Sequence, residues 1–177
     1  MPNQPQDFGD QSKESEHSDP ILTLTAITDG EILPIEEVPD ELFSQKMIGN
    51  GFAMSPTSEI VYSPIEGKLI EVAETKHAYY IQTDEGIKVL IHIGLDTLFL
   101  NGEGFNTSVE KNMTVAQGER LAEFDKELII EKGFNPIISI IVLDHPSIKS
   151  LEVYPNTNAK AKETPALKVT LLEDDVN

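Results

Sequence analysis

The stretch HAYYIQTDEGIKVLIH, residues 77–92, begins and ends with histidine, and the chain has only four histidines in all. Imidazole has an unperturbed pKa of about 6.5, so at neutral pH it offers a neutral, nucleophilic ring nitrogen. Such a nitrogen can accept a phosphoryl group directly. A second imidazole can donate a hydrogen bond to the oxygens of the group being moved. Transfers of this kind depend mainly on positioning and electrostatics. A lone histidine in an apolar strand is more often a buried, hydrogen-bonded ring. Two of them placed symmetrically about one turn weaken that reading and make a shared site a candidate beside it.

The elements that must position them are two β-like runs flanking Asp84-Glu85-Gly86. His77 and His92 are equidistant from the point between Asp84 and Glu85. A two- or four-residue loop makes them direct cross-strand partners, with Cβ atoms about 4.5–5.5 Å apart. A three-residue loop with Gly86 as a bulge shifts the register by one, which in a regular ladder separates the rings. Strand alternation puts Leu90, His92 and Gly94 on one face and Val89, Ile91 and Ile93 on the other. Gly94 would leave room for another molecule to approach His92. Asp96 follows on the same side if the strand continues. Thr75, two residues before His77, can orient that ring through its hydroxyl.

Beyond this hairpin, apolar runs of four to eight residues recur from Ile21 onward, separated by turn signals: DG at 29–30, GNG at 49–51, SP at 55–56 and 63–64, and NGEG at 101–104. Ile21–Thr25, Leu69–Val72, Tyr79–Gln82, Val89–Ile93 and Ile137–Val142 are examples. The spacing predicts an all-β, antiparallel sandwich or barrel-like fold. Short helical turns are predicted over 39–46, capped by Asp40, and over 125–133, capped by Asp125 and stopped by Gly133. Residues 154–165 read as a long polar loop leading to a last strand, Ala166–Leu172. Residues 1–20 are almost wholly polar and predicted to be disordered. A folded domain is expected over 21–173, followed by an acidic end at 174–177.

The net charge is −18, from 31 acidic and 13 basic residues. It repels nucleic acid and anionic membranes; it either attracts a basic protein partner or simply keeps the protein soluble. The absence of cysteine removes disulfides, thiol catalysis and thiolate-held zinc. No apolar run approaches the roughly 20 residues needed to span a bilayer. The N-terminus lacks a signal peptide's basic start and apolar centre. Cytoplasmic residence, without membrane insertion, is the expectation.

GIKVLIHIGLDTL (86–98) resembles the active-site signature of the glucose-class enzyme IIA proteins of the bacterial sugar phosphotransferase system. The resemblance extends through VYSPIEGKLIEVAETKHAYYIQTDEG (61–86), GEILPIEEVPDELFSQKMIGNGFAMSPT (30–57), LNGEGF (100–105), EKNMTVAQGERLAEFD (110–125) and ETPALKV (163–169). It implies a β-sandwich with His92 as phosphoryl acceptor, charged by the phosphocarrier protein HPr. His77 would support the phosphoryl group and Thr75 would hydrogen-bond to His77. The phosphate would pass to a cysteine on an enzyme IIB domain of a sugar permease, necessarily on another polypeptide. Asp40 and Asp96 would face basic residues of the carrier, around a docking patch of Phe43, Met47, Ile48 and Leu90. Ala73 and Leu90 stand where phenylalanine is often found, which bears on partner choice. The resemblance implies a free-standing IIA, with regulatory target proteins a further implied role and no cofactor required.

Three rival readings carry testable features. His92 and Asp96 form H-x-x-x-D, and with His77 could supply three zinc ligands for a hydrolase. That reading lacks the His-x-His pair of such peptidases, and only His145 remains in the folded region; incidental zinc between His77 and His92 is the milder version. SPIEGKLIEV and VEKNMTVAQGERLAEF echo lipoyl and biotinyl carrier domains. Those require a lysine at a hairpin tip, and DKE at 125–127 is the nearest equivalent. A regulatory binding module without transfer would use the same surface.

Overall fold

The computed structural model describes residues 19–173. The expected polar tail and acidic end, apart from Asp19 and Pro20, lie outside the described residues. The described chain forms fourteen strands and two short α-helices. The first seven strands are β1 Ile21–Thr25, β2 Gly30–Pro34, β3 Gly49–Pro56, β4 Ile60–Tyr62, β5 Gly67–Val72, β6 Ala78–Gln82 and β7 Lys88–Leu95. The rest are β8 Phe105–Asn106, β9 Thr114–Val115, β10 Arg120–Phe124, β11 Asn135–Leu143, β12 Ile148–Val153, β13 Asn156–Ala159 and β14 Pro165–Leu171. Helix α1 spans Glu41–Ser44 and α2 spans Lys126–Glu131; 3-10 turns occupy Ile35–Glu37 and Thr97–Leu100.

The strands make one large sheet, ordered β13-β2-β3-β11-β7-β6-β5-β9, and two three-stranded sheets, β1-β14-β12 and β4-β10-β8. The pairings are antiparallel, as the turn spacing predicts. Alternation along each strand divides the large sheet into two apolar faces. On the inner face Phe52, Tyr79, Val89, Ile91, Ile138 and Ile140 pack against Leu24, Leu121, Phe124, Leu167 and Val169 of the small sheets. On the outer face a second cluster gathers Ala53, Ala78, Leu90, Leu95 and Ile141 under Ile35, Val38 and Phe43. The segment 35–43 is thus a cover for part of the outer face, and His92 lies at that cover.

Both predicted helical turns form, for the predicted reason. The Asp40 carboxylate accepts the Leu42 N–H at 2.9 Å, and the Asp125 carboxylate accepts the Leu128 N–H at 3.0 Å. Gly133, at φ +90°, takes the left-handed conformation that ends α2. Two expectations change. GNG at 49–51 lies inside β3 rather than in a turn, because a Cβ on Gly51 would sit 1.9 Å from the carbonyl oxygen of Ile140 on β11. Glycine here permits close backbone approach. The polar stretch 154–165 contains β13, which pairs with β2 at the sheet's edge. Edge strands can be polar because only one flank of their backbone needs a partner.

Candidate active site

The β6–β7 hairpin has the three-residue loop. Gln82 pairs with Lys88, Gly86 N–H donates to the Thr83 carbonyl at 2.9 Å, and Gly86 adopts φ +89°. This is the bulged form of the turn. The register is therefore the shifted one: Ala78, not His77, is the partner of His92. The rings nevertheless meet. Their centroids are 4.9 Å apart and their planes 85° apart, an edge-to-face contact.

The reason lies in the preceding turn. Val72 pairs with Tyr79, and the Ala73 N–H donates to the Ala78 carbonyl at 3.0 Å. Lys76 takes φ +62°. His77 is thus the last residue of a loop, outside the pleat of β6, although its carbonyl still accepts the Ile93 N–H at 2.7 Å. A residue outside the pleat is not bound by strand alternation, and its ring reaches the face of His92. Regular-ladder reasoning separates the rings because it treats His77 as a strand residue.

Each ring is held through Nδ1. His92 Nδ1–H donates to the Gly94 carbonyl at 2.8 Å. In the neutral ring this leaves Nε2 with the free lone pair. His77 Nδ1 and Thr75 Oγ1 share a hydrogen bond of 2.7 Å. Phe43 packs against His92 at 5.3 Å between ring centres. His77 is buried, at 7% exposure, and His92 is half-buried. Burial pushes the His77 imidazole down to about 4, and the neighbouring His92 adds to the effect. Burial also lowers His92, opposed by the Gly94 carbonyl and by the charges of Asp40 and Asp96. Both rings are consequently neutral near pH 7. A neutral nucleophilic nitrogen and an adjacent neutral ring can receive an electrophilic anionic group without first losing protons.

The remaining residues divide. Asp40, the cap of α1, and Asp96 are close enough to bias the charge of His92. Asp96 is not on a continued strand: β7 ends at Leu95, and Asp96 adopts φ +62°. Met47 is exposed, at 63%, and Ile48 is half-buried. Phe43 and Leu90 are buried, Leu90 at 3% exposure, so they lie beneath the surface expected to carry them. Alternation identified the face of Leu90 but not the segment that covers it. The role assigned to Gly94 also changes. A Cβ there would lie 2.5 Å from the Thr97 methyl group, so the space is filled by the chain itself. Gly94 is needed for its φ of +80° and for its carbonyl on His92.

Sequence reading missed three exposed apolar side chains. Leu42 follows the cap Asp40, and Leu98 and Phe99, the latter 68% exposed, follow Asp96 in the 3-10 turn. Their signal was an apolar run directly after an acidic cap, in a turn too short to bury both sides.

The zinc-hydrolase and carrier-domain readings meet the geometry less well. Among the described residues no group of three or more His, Cys, Asp or Glu side chains is arranged to hold a metal ion. His77, His92 and Asp96 therefore do not form a three-ligand set. Lys126, the lysine of DKE, starts helix α2 and donates to the Pro56 carbonyl at 2.7 Å, not at a hairpin tip. Among the described residues no helix is long and apolar enough to cross a membrane.

Comparison with known proteins identifies the family of the chain. A family model described as phosphoenolpyruvate-dependent sugar phosphotransferase system, EIIA 1, matches residues 22–148. Strands β12–β14 continue the fold past that match, and β14 pairs with β1. The chain is 37% identical to the phosphotransferase system glucose-specific EIIA component of Bacillus anthracis, covering 93% of this chain and 96% of the relative. It is 39% identical to the component of the same name from Oceanobacillus iheyensis, over 84% of this chain and 90% of the relative. Among solved structures, glucose permease IIA from Mycoplasma capricolum matches with a TM-score of 0.79 and 35% identity, over 84% of this chain and 96% of the other. A β-sandwich with two facing histidines, and these relatives along nearly its whole described length, place the chain in the glucose-class EIIA family of the phosphoenolpyruvate-dependent sugar phosphotransferase system.

Proposed function

We propose that this EIIA protein is a phosphocarrier that takes a phosphoryl group from phospho-HPr on Nε2 of His92 and delivers it to a cysteine of an enzyme IIB domain. The observation that carries the reading is the contact of the two rings at 4.9 Å with each ring tethered through Nδ1. The Nε2 lone pair of His92 attacks phosphorus, the bond from phosphorus to the donor's nitrogen breaks, and the electron pair leaves with the donor. The Thr75 hydroxyl donates to His77 Nδ1, so His77 carries its proton on Nε2 and donates it to a phosphoryl oxygen. Positive charge forming on the His92 ring is eased by the Gly94 carbonyl and by Asp40 and Asp96. In the second half-reaction the IIB thiolate attacks phosphorus and His92 leaves as the neutral ring.

The acidic surface suits a basic donor protein. The exposed Leu42, Met47, Leu98 and Phe99, which follow Asp40 and Asp96 in the chain, supply an apolar contact. HPr and IIB act in the cytoplasm, and the same location is proposed here. Regulatory binding through this surface is compatible with the fold, but no residue specifically favours it.

The test uses phosphoenolpyruvate, enzyme I and HPr. The native protein is expected to acquire an acid-labile, base-stable phosphate, and His92→Ala none. His77→Gln is expected to accept phosphate but transfer it poorly. Full labelling of His92→Ala, or no labelling of the native protein, would overturn the proposal.

A further inference from the structure

We propose that Ser139 is a second hydrogen-bond donor to the phosphoryl group on His92; this rests on the phosphocarrier reading above. Ser139 on β11 is the direct cross-strand partner of His92. On its far side Ser139 pairs with Ala53 of β3, while the other partner of His92 is Ala78 of β6. Four neighbouring strands thus place Ala53, Ser139, His92 and Ala78 in one row on the outer face. Directly opposed residues share a face, with Cβ atoms about 4.5–5.5 Å apart.

The row holds one anomaly. Ser139 is fully buried, and among the described residues its Oγ is the one buried side-chain nitrogen or oxygen without a hydrogen-bond partner. Buried polar atoms are otherwise almost always paired. An alanine would fit this row, whose flanking members are alanines, and leave nothing unsatisfied. The hydroxyl therefore has no use in the unmodified protein and stands beside the atom group that changes chemistry.

A phosphoryl group on His92 brings three anionic oxygens, each a strong acceptor. His77 comes to His92 from the β6 side and Ser139 from the β11 side, so the two donors flank the ring. Burial keeps water off the hydroxyl, which leaves its proton available to the phosphoryl oxygen. No covalent bond changes at Ser139: the O–H stays intact and is shared with the acceptor. The consequence is selective stabilisation of the phosphorylated state.

The experiment mixes phospho-HPr with the full chain and measures the equilibrium distribution of phosphate, the hydrolysis rate of the phosphohistidine, and the melting temperature of the unmodified protein. Ser139→Ala is expected to shift the equilibrium towards phospho-HPr by about fivefold and to speed hydrolysis. Its melting temperature should match or exceed that of the native protein, which a purely structural serine would not allow. If Ser139→Ala does not fold, Ser139→Cys supplies the comparison, with a weak donor in place of a strong one. An equilibrium and hydrolysis rate equal to native in the folded variant would overturn the role of Ser139 alone. Failure of the native protein to label would overturn the phosphocarrier reading and this inference with it.

Discussion

The Gly94 carbonyl accepts the Nδ1–H of His92 at 2.8 Å, two residues further along the same chain. The contact fixes both the tautomer and the tilt of the ring with a backbone atom, which a side-chain mutation cannot remove. On the phosphocarrier reading proposed above, the phosphoryl group therefore goes to Nε2. Long-range proton–nitrogen correlation spectra of the labelled protein, with phosphorus decoupling, are expected to show substitution at Nε2. Substitution at Nδ1 would mean that the Gly94 contact breaks before transfer.

Gly94→Ala attacks the same contact from the backbone. Alanine at φ +80° is strained, and its Cβ would lie 2.5 Å from the Thr97 methyl and 3.2 Å from the Asn135 carbonyl oxygen. Strain of this kind costs about 1–3 kcal/mol. The expected result in urea unfolding is a loss in that range. Slower phosphorylation should accompany it, since any relief of the clash moves the carbonyl off His92. A variant with native stability and native labelling rate would show that Thr97 moves freely, against its 2.5 Å hydroxyl bond to the Ile93 carbonyl.

The buried His77 makes stability depend on pH in a defined direction. Its folded pKa is pushed down to about 4, from an ordinary value of 6.5, chiefly by burial and then by His92. Above pH 6.5 the ring is neutral in both states and imposes no penalty. Between pH 6.5 and about 4 the unfolded chain binds the proton and the folded chain does not, so stability falls as pH falls. The full effect is up to about 3 kcal/mol, complete below the folded pKa. Urea unfolding of the native protein at pH 7.5, 6.5 and 5.5 is expected to show the decline begin, before most carboxylates titrate. His77→Gln should make that part of the curve shallower, leaving the dependence contributed by His92, which burial also lowers. Parallel curves would place the proton-sensitive group elsewhere.

Much of this site was legible because its parts obey local rules. Alternation placed Leu90, His92 and Gly94 opposite Val89, Ile91 and Ile93, and the two faces do belong to different apolar clusters. Asp40 and Asp125 announced helix caps by residue type and position. What failed needed information from outside the strand. The burial of Leu90 depends on the segment 35–43 folding over it, a contact distant in sequence. The closure above Gly94 depends on a 3-10 turn that brings Thr97 back. The meeting of His77 and His92 depends on Lys76 taking φ +62°, which removes His77 from the ladder. Ser139 was unremarkable until register set it opposite His92.

Asp40 and Asp96 allow charge to be separated from shape. Asp40 caps α1, a duty asparagine performs equally well. Asp96 adopts φ +62°, a conformation asparagine tolerates better than most residues. Asp40→Asn and Asp96→Asn should therefore keep the fold while removing two negative charges beside His92. The expected effect is a several-fold fall in the rate of phosphate uptake from phospho-HPr at low ionic strength, with the double variant slower than either single one. The difference should shrink as salt is raised, because screening removes the same attraction in the native protein. Stopped-flow or quench-flow labelling at about 20 mM and 300 mM salt makes the comparison, the interval being chosen to span strong and weak screening. A deficit that persists unchanged at high salt would assign these carboxylates to the chemical step at His92, through the charge forming on its ring, and not to steering.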